Sequence, residues 1–195
     1  SGRIAEIGRD LGARPDEQVF DARGRTLLPG MIDDQVHFRE PGLTHKGDLG
    51  TESRAAVAGG ITSFMEMPNT SPWTGSMEMI GEKCARAAQS SLGNYAFYLG
   101  ATNDNLDDVE QADQHGVAGI KVFMGASTGN MLVDNPEVLD AIFARAPCLI
   151  ATHCEDTPTI NANLAQFRAQ YGDNIAPDAH PHDRRVGVGR RRRGD

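Results

Sequence analysis

The feature that most constrains this chain is a rhythm that begins at Leu27, where short apolar, strand-like runs alternate five times with helix-like segments. The runs are 31–38, 61–67, 95–100, 118–124 and 148–153; the helix candidates between and after them are 50–58, 76–90, 105–114, 135–145 and 157–170. Strand alternating with helix at this spacing predicts βαβ units and a parallel sheet. Asn135-Pro136 and Thr157-Pro158 mark two helix starts, each a capping residue before a proline at the first helical position. Five units are too few for a closed eight-unit barrel, which takes about 250 residues. The pattern leaves two architectures open: a five-stranded open α/β domain, or the first five units of an eight-unit barrel.

Outside this rhythm the chain reads differently. Residues 3–26 predict short strands at Arg3 to Ile7 and Gln18 to Phe20, with Gly8, Gly12, Pro15 and Gly24 as punctuation. The chain has no initiator Met, which fits a start partway into something longer. From about residue 181 the text turns to His182-Asp183-Arg184-Arg185-Val186-Gly187-Val188-Gly189, four arginines, Gly194 and Asp195, with no helix or strand period. A basic tail that binds an acidic partner is one reading. A shifted reading frame in a GC-rich gene is favoured, because the change is abrupt and falls where another βα unit is due.

Charge and cysteine usage narrow the function classes. The net charge is −8, yet residues 181–195 hold six arginines against two aspartates, a local +4 that leaves −12 for residues 1–180. An acidic body offers no basic footprint for phosphates, which argues against nucleic acid. No apolar run approaches the length that spans a bilayer, and no secretory signal opens the chain, so no membrane role is expected. Cys84, Cys148 and Cys154 are too few for a disulfide framework, and a cytoplasmic setting is the simpler reading.

Four clusters could carry chemistry. In the first, Asp33, Gln35 and His37 share one face of a strand by alternation, with Ile32, Val36 and Phe38 on the other, and Arg39-Glu40-Pro41-Gly42 ends the strand. In the second, Met65-Glu66-Met67-Pro68-Asn69-Thr70 places the Asn69 amide, both donor and acceptor, in the loop after a strand. In the third, Lys121 stands inside the apolar strand Gly119-Ile120-Lys121-Val122-Phe123, where burial lowers an amine's pKa and favours carbon dioxide addition to give an anionic carbamate. The plainer alternative is a packed stem with its head in water. The following Gly125-Ala126-Ser127-Thr128-Gly129-Asn130 lacks the Gly-Lys-Ser/Thr ending of a phosphate loop. In the fourth, Cys148-Leu149-Ile150-Ala151-Thr152-His153 closes an apolar strand on a histidine, and Cys154 beside it has no Cys-x-x-Cys pairing. His45, His115, His180 and His182 read as solvated. Each cluster alone has a plain structural explanation. Together, polar or metal-capable residues close four of five strands at one end, and in a parallel barrel that end is one face.

These residues resemble the dihydroorotases and, more broadly, the cyclic amidohydrolases that include hydantoinases and allantoinases. The strand-one signature of that group, Asp-x-His-x-His followed by Phe/Leu-Arg-x-Pro-Gly, here reads Asp33-Asp34-Gln35-Val36-His37-Phe38-Arg39-Glu40-Pro41-Gly42. Arg-Glu-Pro-Gly together with Met-Pro-Asn-Thr points to dihydroorotase within the group. The resemblance runs from about residue 3 to residue 180. It implies an α/β fold, the first five βα units of a (β/α)8 TIM-type barrel over 27–180, with residues 1–26 part of a small flanking β domain and 181–195 an aberrant tail. It implies one or two Zn²⁺ ions held by His37, a carboxylated Lys121 and His153, with Arg39 and Asn69 on the substrate. The implied reaction interconverts dihydroorotate and N-carbamoyl-aspartate in pyrimidine synthesis.

Two departures qualify the resemblance. Gln35 stands where the family motif has a histidine, and an amide oxygen is a poor zinc ligand beside imidazole, so the first metal site is expected to be weakened, empty or rebuilt. A further histidine of the sixth strand and the aspartate of the eighth, ligand and general base in the family, have no counterpart in these residues. The chain alone is therefore expected to show no ring opening and to expose apolar surface at an open barrel edge, tending to aggregate or form homo-oligomers. Two rival readings stand: a hydantoinase or allantoinase, and a non-catalytic subunit that scaffolds a partner such as aspartate transcarbamoylase.

Overall fold

The computed structural model describes residues 3–112, 116–125 and 131–175. Five βα units follow one another: β1 (Met31–Val36), α1 (Leu49–Ala58), β2 (Ile61–Glu66), α2 (Met77–Ser90), β3 (Asn94–Gly100), α3 (Leu106–Glu110), β4 (Gly119–Phe123), α4 (Pro136–Arg145), β5 (Ile150–His153) and α5 (Thr157–Tyr171). The strands are all parallel and lie in the order β1-β2-β3-β4-β5. Each strand lies beside its predecessor with no reversal of direction across the sheet. That is the winding of a barrel, whereas an open doubly wound sheet turns back at a switch point. The sheet is a curled half-barrel, which decides between the two architectures that the sequence pattern left open.

Alternation along the strands separates two faces. Phe64, Phe97, Leu99, Ile120 and Val122 form one core with Leu49 of α1, Ile80 and Ala87 of α2, Val109 of α3 and Ile142 of α4. Burying each large apolar side chain contributes about 1.5–3 kcal/mol, so this layer between strands and helices is where the fold is held. The opposite, inner face carries Met65, Tyr98, Lys121 and Phe123; Tyr98 Oη lies 3.8 Å from Met65 Sδ across β2 and β3. Helix starts are fixed locally. Asp48 and Thr51 form a reciprocal capping box on α1, Ser76 accepts from Met79 N on α2, and Asn135 accepts from Glu137 N on α4.

The structure departs from the sequence reading at several points. Residues 3–30 form no strand, and Ile4, Ile7, Val19 and Phe20 stay exposed, because no neighbouring strand among the described residues supplies a ladder for them. The cap of α5 is Asp156 rather than Thr157, since its carboxylate accepts from both Thr159 N at 3.1 Å and Thr159 Oγ1 at 2.6 Å. Helix α3 ends at Glu110, and positions 113 and 114 of the expected helix lie outside the described residues, as do 126–130 and the arginine-rich tail.

Strand β1 carries the largest correction. Asp33 pairs with Phe64 and Val36 with Glu66, so the three steps from 33 to 36 face two steps of β2 and an extra residue is accommodated between them. A bulge reverses the alternation. Asp33 consequently shares the side of Phe64 and Val36, not the side of Gln35 and His37. Ile32, expected to be buried with Val36 and Phe38, is 65% exposed, while those two are 8% and 7% exposed.

Candidate functional site

Most of the polar residues singled out in the sequence lie at the C-terminal edge of the sheet, where the loops leave the strands, and Lys121 lies within its strand. His37 follows β1 directly, Asn69 lies in the loop after β2, Lys121 sits in the middle of β4, and His153 is the last residue of β5.

The first two meet. His37 Nδ1 lies 2.9 Å from Asn69 Oδ1. With that oxygen as acceptor, Nδ1 donates the hydrogen bond and Nε2 keeps its lone pair, the form in which an imidazole binds a metal. The His37 pKa is held below its ordinary value, chiefly by burial, then by the Arg39 guanidinium and more weakly by Lys121 and Lys83; the Asn69 hydrogen bond opposes them. The ring is thereby kept neutral to lower pH.

Arg39 departs from the strand in a left-handed backbone conformation, φ +69°. Few non-glycine residues adopt it without surrounding support. The Arg39 backbone N–H donates to Glu66 Oε1 at 3.0 Å. The other oxygen, Oε2, lies 2.7 Å from Lys83 Nζ of α2, and both side chains are almost wholly buried, at 1% and 2% exposure. Lys83 Nζ also sits 4.8 Å from the centre of the Phe97 ring. Burial pushes the Glu66 carboxyl up and the Lys83 ammonium down, and their mutual attraction opposes both shifts. Sequence reasoning missed this pair. The one available signal was Glu66 itself, a charge at the end of an apolar strand, the same argument that singled out Lys121.

The loops after β1 and β2 are locked together. Ser71 N donates to Pro41 O at 3.0 Å, and Gly42 (φ +81°) packs so closely that a Cβ there would collide with the Ser71 carbonyl oxygen. Between these loops opens a cavity of about 310 Å³ lined by Arg39, Leu43, Lys46, Asn69 and Trp73, with the turn Thr70–Pro72 completing it. Two cations, an amide and an indole in one cavity suit a small planar ligand that carries an anionic group. Lys46 and Trp73 had not been singled out from sequence, where a loop lysine and a loop tryptophan carry no period or spacing.

The third and fourth clusters adjoin on β4 and β5. Lys121 is 5% exposed, and no ion pair is formed with it among the described residues. Its Nζ lies 4.9 Å from the Phe123 ring centre, and that ring is 6.0 Å from the His153 ring. Burial lowers the Lys121 pKa, with Cys154 a smaller opposing influence. His153 Nε2 approaches Glu155 Oε1 at 3.7 Å, and Cys154 Sγ turns instead to Thr152 Oγ1 at 3.0 Å. Gln35 is exposed, with its backbone N–H donating to Asp33 Oδ1 at 3.1 Å.

As a donor set these residues suit a divalent metal in part. His37 Nε2 and the His153 imidazole are ordinary zinc donors, and the desolvated amine of Lys121 would become an anionic oxygen donor as a carbamate. As an ammonium it would repel the ion. No group of three His, Cys, Asp or Glu able to hold a metal occurs among the described residues, so a site here depends on Lys121.

Residues 24–162 match the family model described as dihydro-orotase-like. The chain is 34% identical over 158 residues to a dihydroorotase of Methanosarcina mazei, covering 80% of this chain and 34% of that one. It is 39% identical over 127 residues to an allantoinase of Deinococcus radiodurans, covering 65% and 28%. Among solved structures, the L-hydantoinase (dihydropyrimidinase) of Arthrobacter aurescens superposes with a TM-score of 0.67 at 32% identity, over 74% of this chain and 33% of that one. The chain thus spans about a third of the length of the curated relatives it matches.

Proposed function

The chain belongs to the dihydroorotase-like family, and on that premise we propose that it forms the substrate-anchoring part of a cyclic amide hydrolase acting on dihydroorotate and N-carbamoyl-aspartate. The observation that carries this reading is the cavity that pairs Arg39 and Lys46 with Asn69 beside His37. Dihydroorotate brings a carboxylate to such a cavity, whereas hydantoin and allantoin bring none.

On this reading Arg39 takes the carboxylate through charge-assisted hydrogen bonds, and Lys46 adds positive potential at the cavity mouth. Asn69 spends its Oδ1 on His37, which leaves its Nδ2 to donate to a ring carbonyl. Trp73 walls the cavity and limits water around the ring. The metal would be Zn²⁺, one or two ions that His37, a carboxylated Lys121 and His153 would hold, with Gln35 a weak contributor at most; such an ion would lower the pKa of a water and polarise a carbonyl. The chain's own contribution is to place the ring and to keep His37 neutral with Nε2 free. Residues 3–26 form no strand, so any part they take in a small β domain flanking the barrel would need a pairing partner from elsewhere, and the setting is cytoplasmic. No helix among the described residues is long and apolar enough to cross a membrane.

Titration calorimetry tests the reading. Dihydroorotate or N-carbamoyl-aspartate should bind the chain, and Arg39→Ala should weaken binding about tenfold or more, the scale of a lost charge-assisted hydrogen bond. The similarity to allantoinase and hydantoinase sustains a second reading within the same chemistry. Binding of allantoin or hydantoin, unchanged by Arg39→Ala and without binding of dihydroorotate, would establish that reading instead.

A further inference from the structure

The Glu66–Lys83 pair is an expensive feature with no partner in the reaction just described. Two charges lie in the layer between sheet and helices, where apolar residues of similar volume would hold the fold as well or better. What distinguishes Glu66 is its second contact. Its Oε1 reaches across from β2 to accept the backbone N–H of Arg39, and the Phe38 amide also favours the carboxylate. Lys83 comes from α2 and holds the opposite oxygen at 2.7 Å, and beyond this contact neither Oε2 nor Nζ has a hydrogen-bond partner. The carboxylate is therefore clamped at one end and spent on the chain turn at the other.

Among the residues lining the cavity, Arg39 alone has a left-handed backbone conformation. Arg39 sits at φ +69°, and the next peptide bonds lead into Gly42 and the contact with Ser71. In an extended conformation the same residue would send its side chain in a different direction. We propose that the buried Glu66–Lys83 pair is a positioning device, holding the Arg39 backbone in its left-handed conformation so that the guanidinium faces the cavity. Glu66 and Lys83 touch no ligand and act through Arg39. The proposal rests on the reading of Arg39 as the anchor for an anionic group.

Two double variants separate positioning from simple stability. Glu66→Leu with Lys83→Met removes both buried charges and the acceptor for the Arg39 N–H. Glu66→Gln with Lys83→Met removes both charges but keeps an acceptor oxygen. The first should fold, lose about tenfold or more in affinity for N-carbamoyl-aspartate, and show Arg39 amide exchange about ten- to a hundredfold faster. The second should stay within about twofold of the parent in both, and in an Arg39→Ala background the first should add no further loss. Parent-like affinity and Arg39 protection in the Leu/Met variant would overturn the proposal. So would an unprotected Arg39 amide in the unaltered protein, a measurement that needs no variant to fold. If the unaltered protein binds no carboxylate ligand, or Arg39→Ala leaves binding intact, the anchor reading fails. The exchange rates at Arg39 still decide whether Glu66 holds the turn.

Discussion

Replacing Lys83 alone with methionine isolates the Glu66 carboxylate inside the protein. The side chain it loses is 2% exposed and its partner 1%, so no water is at hand to take over the ammonium's role. Removing one member of a buried pair costs about 3–5 kcal/mol, against a total stability of about 5–15 kcal/mol for a domain. Lys83→Met should therefore lose about a fifth or more of its stability at neutral pH. The loss should also depend on pH in a definite direction. In the unfolded chain Glu66 titrates near the ordinary value of a glutamate, and in the folded variant burial raises it further than before because the opposing ammonium is gone. A folded pKa above the unfolded one means that the folded state holds the proton more tightly. Stability is then fully present below the unfolded value and is lost as pH rises through the raised folded value. Urea unfolding of the parent and of Lys83→Met at several pH values between 4 and 8 measures this. The gap between them should be narrow at the acid end and widen upward, and Glu66→Gln added to Lys83→Met should close most of it. A gap below about 1 kcal/mol at neutral pH, flat with pH, would refute the account of a desolvated pair.

Three other outcomes are expected. Lys121→Arg keeps a positive charge but cannot form a carbamate, so it should abolish any bicarbonate-dependent uptake of zinc, measured by elemental analysis after dialysis with and without bicarbonate; equal uptake in parent and variant would remove Lys121 from the donor set. Gly42→Ala puts a Cβ into the Ser71 carbonyl at a residue with φ +81°, and should lower stability by about 1–2 kcal/mol from the backbone conformation alone, with more from the collision, as read in the urea midpoint. Met31, Ile32 and Leu149 are 57%, 65% and 64% exposed on or beside the two outer strands of the sheet, so light scattering should show concentration-dependent association, reduced by Ile32→Lys.

What the sequence determined by itself is the set of local elements. Each expected βα unit is present, and helices α1, α2, α4 and α5 begin and end within a residue or so of their expected bounds, because apolar period, capping residues and prolines act over a single turn. The polar residues of the site were also legible, since Lys121 and His153 stand out against apolar strands and Arg39 and Asn69 punctuate strand ends. Tertiary structure decided the rest. Periodicity leaves an open sheet and a barrel equally allowed, and only the order β1-β2-β3-β4-β5 separates them. The bulge that moves Asp33 away from His37 comes from register against β2, which no single-strand pattern contains. The same holds for the contact of His37 with Asn69, and for the reach of Glu66 to Arg39 and Lys83. Each joins groups far apart along the chain, and local preference is blind to a distance that exists only once the sheet has curled.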